Sequence, residues 1–208
     1  MVFVDDATGK LLELQFHHRE TVEAYMDGIG TICRRYGRPE RMITDRFSCM
    51  KTKSNLPKLT SALRSLGIIH ITSSTPQGKG RVERMNRTLQ DRLIKWLERR
   101  GLDTVKSANE EMPDFISEFN RRFAKEPSSS TNAFRPVKKL ELERALARSF
   151  ERKLDRHGIF SLRGRKFQVD FGPGIYSQTP QKLTVLELRR GKIEVFYNGT
   201  FFPVSEIK

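Results

Sequence analysis

The chain has 208 residues, with 39 Lys and Arg against 25 Asp and Glu, a formal net charge of +14, and 37% hydrophobic residues. That length allows one domain, or a modest domain with a small second one, and the apolar fraction excludes a disordered tail. Basic residues spread along the whole chain favour an extended phosphate-facing surface, and no apolar run is long enough for a membrane span.

Cys33 and Cys49 form neither a Cys-x-x-Cys pair nor a zinc spacing with histidine, which points to a reducing compartment. The N-terminus carries no signal peptide, so a cytoplasmic location is expected. Apolar runs at residues 2–4 and 11–16 flank Asp5-Asp6-Ala7-Thr8-Gly9-Lys10 and predict a β-hairpin. Val22, Tyr25, Met26, Ile29, Ile32 and Cys33 recur at helical spacing up to a stop at Gly37-Arg38-Pro39. Residues 41–44 predict a short strand ending at Asp45, followed by a basic loop with Arg46, Lys51 and Lys53. Leu59, Leu63 and Leu66 mark a helix closed by Gly67. Ile68-Ile69-His70-Ile71 predicts a strand covered on both faces, with His70 a satisfied core histidine.

A Pro- and Gly-containing loop, Thr75 to Gly80, leads into a long amphipathic helix ending at Gly101. Val82, Met85, Leu89, Leu93 and Trp96 form its buried stripe, while Glu83, Arg87 and Gln90 share another direction. A further helix carries Ala108, Phe115, Ile116, Phe119 and Phe123, with Pro113 at a helix start or kink. The alternation of strands and helices predicts an α/β region with a mixed sheet. Residues 126–132 and Phe134-Arg135-Pro136 read as a linker, and residues 140–150 as a short helix. Five short strands follow from residue 159, the last after Asn198-Gly199, a strong hairpin signal. They predict a small β-barrel of SH3-like type.

Asp45 ends one strand, and Glu83 opens the helix after a later one. In open α/β sheets, function collects at strand C-termini and adjacent helix N-termini. Two carboxylates meeting there without His or thiolate donors suit Mg²⁺ or Mn²⁺. Two such ions about 4 Å apart can activate one oxygen and steady another in an in-line phosphoryl displacement. Lys79, Arg81, Arg84 and Arg87 would neutralise phosphates around the site. A second reading of Glu83 stays open, in which it complements the helix dipole and pairs with Arg87. Each basic residue taken singly is also readable as a solvated surface charge.

The run Thr75-Pro76-Gln77-Gly78-Lys79-Gly80-Arg81-Val82-Glu83-Arg84-Met85-Asn86-Arg87-Thr88-Leu89 resembles the segment around the catalytic Glu of bacterial insertion-sequence DDE transposases. These have a retroviral-integrase-type core. Ile43-Thr44-Asp45-Arg46 is similar to the segment bearing that family's second catalytic Asp. The 37 residues between Asp45 and Glu83 suit its roughly 35-residue spacing. The opening Phe-Val-Asp-Asp-Ala-Thr-Gly-Lys looks like the second strand and turn of the same core, and the terminal β module resembles the barrel that follows it.

The resemblance implies a ribonuclease-H-like integrase core over residues 1–125 with its first strand missing. A linker and short helix would span 126–151, and a small all-β SH3-like barrel 152–208. It implies Asp45 and Glu83 as catalytic, metal-binding residues, a two-metal Mg²⁺ or Mn²⁺ site, and Lys79, Arg81, Arg84, Arg87 and Gln90 at DNA. The family's first metal-binding Asp lies upstream of the Asp-Asp-Ala-Thr turn, so Asp5 and Asp6 take turn roles, and the sequence is expected to be a truncated copy. Arg46-Phe47 stands where the family has small residues. With one ligand of three missing, the resemblance implies weakened metal binding and a chain impaired in catalysis or inactive as given. The implied activity is metal-dependent DNA cleavage and strand transfer by 3′-hydroxyl attack, on double-stranded element ends and target, by a homo-oligomer. The protein would be nucleoid-associated when bound. The alternative is a non-catalytic DNA-binding remnant that regulates or inhibits intact transposase. A ribonuclease H acting on hybrid duplex fits the barrel and linker less well.

Overall fold

The computed structural model describes residues 1–44, 55–72, 76–172 and 182–207, with residues 55–57, 76–84 and 190 described by their backbone alone. The chain divides into two units, Met1–Leu142 and Glu143–Lys208. Among the described residues it is a mixed α/β structure with five α-helices, and no helix is long and apolar enough to cross a membrane.

The first unit is built on the predicted hairpin, β1 (Val2–Val4) and β2 (Leu11–Leu14), paired antiparallel with a register shift at Phe3/Val4. Alternation sends Phe3 to one face and Val2, Val4, Leu11 and Leu14 to the other. Phe3 packs on α1 (Val22–Tyr36), edge-on to Tyr25 at 6.2 Å. It lies so close to Gly28 that a Cβ there would sit 2.3 Å from the ring. Thr21 caps α1 by accepting a hydrogen bond from the Ala24 N–H, and Gly37 ends it at φ 96°, in the left-handed region that favours glycine. The opposite face of the hairpin meets α3 (Pro76–Arg100) and α4 (Val105–Phe123). There Leu11 and Leu14 join Leu89, Leu93 and Trp96 with Met112, Phe115, Ile116 and Phe119 in one core. Trp96 lies edge-on to Phe115 at 5.3 Å, under the Arg100 guanidinium at 4.3 Å. Helix α4 begins on a Thr104–Ser107 capping box and runs through Pro113, which is neither its start nor its end. That proline leaves the Asn109 carbonyl without its intrahelical donor.

β4 (Arg41–Thr44) and β5 (Ile69–Thr72) form a separate parallel pair. Helix α2 (Asn55–Ser65), with Leu59 and Leu63 buried, packs on β5. The expectation of a strand covered on both faces is not met: Ile43, Ile69 and Ile71 are 54%, 56% and 38% exposed. Ile43 and Ile71 pair in register, so one apolar face of this two-stranded sheet stands open. The α/β character is as expected, but among the described residues the antiparallel β1–β2 and parallel β4–β5 pairs are separate two-stranded sheets and not one mixed sheet. A third small pair joins β3 (Arg38–Pro39) to β6 (Phe134–Arg135), inside the stretch that reads as linker.

Helix α5 (Lys139–Ala145) ends five residues before the predicted limit at 150, because β7 (Arg148–Arg152) is a strand. In the second unit, β7 pairs with β10 (Leu183–Glu187), which pairs with β11 (Ile193–Tyr197) and then β12 (Thr200–Phe202). A second sheet orders β13 (Val204–Ile207), β9 (Arg165–Val169) and β8 (Ile159–Leu162). Among the described residues seven strands thus replace the predicted five, since β7 is added and Pro203 divides the last run between the two sheets. Their inner faces share Phe160, Leu162, Phe167, Val169, Leu183, Val185 and Val195. The β11–β12 turn is made by Asn198 and Gly199 at φ 45° and 80°, as that dipeptide predicts.

Candidate functional site

Parallel pairing brings two strand ends together: Thr44, the last residue of β4, lies opposite Thr72, the last of β5. Asp45 follows Thr44 directly in sequence and lies outside the described residues. Helix α3 begins at Pro76, four residues after Thr72. Proline suits a first helical position because its missing N–H would be unpaired there anyway. The Gly-Lys-rich run Gly78 to Arg81 is helical, where the sequence predicts a loop, so Glu83 sits two turns into α3 and not at its start. For Lys79, Arg81, Glu83 and Arg84 the backbone alone is described.

The side chains of Arg87 and Gln90 are exposed on α3, while Leu89, Leu93 and Trp96 are buried. Positions 83, 87 and 90 fall within about 60° of one another around an α-helix, so the backbone sets Glu83 on the face of Arg87 and Gln90. This is the alignment read from spacing. Met85 approaches the hairpin turn, where a Cβ on Gly9 would lie 3.4 Å from the Met85 methyl.

That turn occupies Asp5. Its carboxylate accepts hydrogen bonds from the Thr8 N–H at 3.1 Å and from the Thr8 hydroxyl, and its carbonyl accepts from Gly9 N–H at 2.8 Å. Holding the turn in this way is the role expected for Asp5.

One part of the site escapes sequence reasoning. His70 lies between two hydroxyls, its Nε2 2.9 Å from Thr44 Oγ1 and its Nδ1 3.2 Å from Thr60 Oγ1. It joins β5 to the end of β4 and to α2, and burial lowers its pKa, keeping the ring neutral. Thr44 is buried beside it. A histidine in an apolar strand, one strand away from a Thr-Asp end, is the only signal in the sequence. Among the described residues no group of three or more His, Cys, Asp or Glu is gathered for a metal ion. The candidate donors, Asp45 and Glu83, both offer oxygen, the chemistry that a hard divalent cation takes.

No protein-family model matches the chain. The chain is 33% identical over 214 aligned positions to the transposase for insertion sequence IS1202 of Streptococcus pneumoniae, covering 98% of this chain and 46% of that protein. It is 36% identical over 144 residues to a protein named as transposase y4bF of Sinorhizobium fredii strain NBRC 101917 / NGR234, covering 66% of this chain and 32% of that one. Among solved structures, a simian T-cell lymphotropic virus intasome in complex with PP2A regulatory subunit B56 gamma aligns with a TM-score of 0.48 and 15% identity. That alignment covers 96% of this chain and 70% of the other. The chain spans less than half the length of the curated relatives it matches. It is a relative of the insertion-sequence transposases, matching one part of the IS1202 protein's length along nearly the whole of its own.

Proposed function

We propose that this chain is the DNA-processing segment of an insertion-sequence transposase. In this reading residues 1–125 are a ribonuclease-H-like core, 126–151 a linker with a short helix, and 152–208 a small β module. The parallel pairing that sets Thr44 opposite Thr72 carries the proposal, because it directs the residue after β4 and the helix after β5 to one edge of the sheet. Asp45 and Glu83 are the carboxylates that would hold Mg²⁺ or Mn²⁺. When bound, such an ion supplies Lewis-acid stabilisation of phosphoryl oxygens during cleavage and strand transfer. Lys79, Arg81, Arg84 and Arg87 neutralise phosphates on either side, and Gln90 continues the same helical face. His70 holds the strand end that precedes Asp45, through Thr44. The net charge of +14 fits double-stranded DNA as the partner, with the protein acting as a homo-oligomer on element ends and target.

One observation favours the second reading, a DNA-binding segment without catalysis that occupies ends or mixes with intact transposase. The described strands do not join into one sheet, leaving β1 and β4 each paired on one side only. Plasmid nicking and duplex binding measured together on the chain separate the two. Catalysis predicts Mn²⁺-dependent nicking that Asp45→Asn or Glu83→Gln abolishes while binding persists. Binding with no nicking by the unmutated chain selects the second reading, and absence of both rejects each.

A further inference from the structure

A second basic surface lies at the other end of the same two strands. Arg34 and Arg35 end α1, and Arg38 opens β3 and donates from Nη1 to the Gly67 carbonyl at 2.9 Å. Gly67 N–H donates to the Arg64 carbonyl at 2.9 Å, which brings the last turn of α2 beside Arg38. Arg41 begins β4 opposite Ile69, whose N–H donates to the Glu40 carbonyl at 2.9 Å. Arg135 of β6 pairs with Glu40 at 2.6 Å.

Basic residues in the last turns of α1 and α2 offset the helix dipoles, which explains Arg34, Arg35 and Arg64 singly. It does not explain Arg38, Arg41 and Arg135, which stand on strands. Five elements therefore bring six guanidiniums to one end of the unit. Two carboxylates face them among the described residues: Glu40, held by Arg135, and buried Glu13, near Arg35 and Arg34. Arg34, Arg41 and Arg64 are exposed, and among the described residues none of them forms an ion pair with a carboxylate. Tyr36, 39% exposed and 5.9 Å from the Phe134 ring, stands beside them.

Arg41 and Thr44 are three strand residues apart, about 10 Å. The Arg41 end of β4 is thus set apart from the Thr44 end that leads to Asp45. Planar, permanently charged guanidiniums fixed on helix and strand ends suit phosphate oxygens of a nucleic-acid backbone. We infer that the Arg34, Arg41 and Arg64 surface is a second contact for the sugar-phosphate backbone of duplex DNA, at the end of β4–β5 away from Asp45. This rests on the DNA-processing reading and adds a second place where a duplex lies.

The test is the salt dependence of binding of the whole chain to a random-sequence duplex of about 40 base pairs. Arg34→Ala/Arg41→Ala/Arg64→Ala should reduce the slope of log affinity against log salt by about 2–3, near 0.9 per lost phosphate contact. The Gln triple variant should do the same with an unchanged melting temperature, so a folding defect in the Ala variant does not decide the result. An unchanged slope in the Gln variant overturns this inference. If Arg84→Ala/Arg87→Ala still flattens the slope in that case, the DNA-processing reading survives alone. Failure of the unmutated chain to bind duplex overturns both.

Discussion

The carboxamide of Asn120 closes on the backbone of Leu11. Its Oδ1 accepts from the Leu11 N–H at 2.7 Å, and its Nδ2 donates to the Leu11 carbonyl at 2.8 Å. Asn109, three turns earlier on α4, does the same to Phe16 at 2.8 and 2.9 Å. Two asparagines on one helix thus bond the backbone at the first residue of β2 and at Phe16, two residues past its end. Buried backbone groups need such partners, and here side chains supply them.

Asn120→Ala removes both bonds and leaves the fully buried Leu11 with two unpaired backbone groups. The expected loss is about 2–4 kcal/mol, or roughly 5–15 °C in the thermal midpoint. Asn120→Asp keeps an acceptor for the N–H and should lose less. A melting curve of Asn120→Ala that overlays the parent would mean α4 does not hold β2 through this group.

Gly28→Ala sets two effects against each other. Helix propensity alone would favour alanine by about 1 kcal/mol. A Cβ 2.3 Å from the Phe3 ring must displace that buried ring, at about 1–3 kcal/mol. Net destabilisation is expected, relieved in the Phe3→Leu background where the ring is gone. Denaturant titration of the four proteins measures the coupling, and additive effects would deny the contact.

His70 makes stability depend on pH. Burial lowers its folded-state pKa below the ordinary 6.5, so between the two values the unfolded chain binds more protons. Its contribution is complete above pH 6.5 and is lost as pH falls through the folded value. His17, lowered by burial as well, acts in the same sense. His70→Gln should therefore reduce the pH slope of unfolding free energy below pH 6.5, by at most about 1.4 kcal/mol per pH unit, without abolishing it. Identical slopes would place the titration elsewhere.

Glu194, with 8% of its side chain exposed, is held by Arg144 at 2.7 Å and Lys192 at 2.9 Å. Burial alone would raise its pKa, but hydrogen bonds and charge from Arg144 and Lys192 outweigh that and lower it. The stabilisation is present above pH 4.5 and is lost as pH falls through the depressed folded value. Arg144 also lies over the Phe201 ring at 3.6 Å. Arg144→Ala should cost about 1.5–3 kcal/mol at neutral pH, and less in acid, by chemical denaturation at two pH values. An equal cost at both would assign the loss to packing on Phe201 alone.

The sequence by itself determined what depends on near neighbours. Apolar spacing marks the buried Leu89, Leu93 and Trp96 stripe, a glycine ends α1, and Asn198-Gly199 makes its turn. The transposase resemblance rests likewise on contiguous runs around Asp45 and Glu83. Only the tertiary structure decided what joins distant residues: β3 to β6, Asn120 to Leu11, His70 to Thr44 and Thr60. It also decided that residues 148–152 are strand β7 and do not continue α5, because Leu183–Glu187 supplies a partner edge that no local preference could announce. Hydrogen bonds and buried contacts between segments far apart in the chain are made only once the chain is folded, and they override weak local propensity.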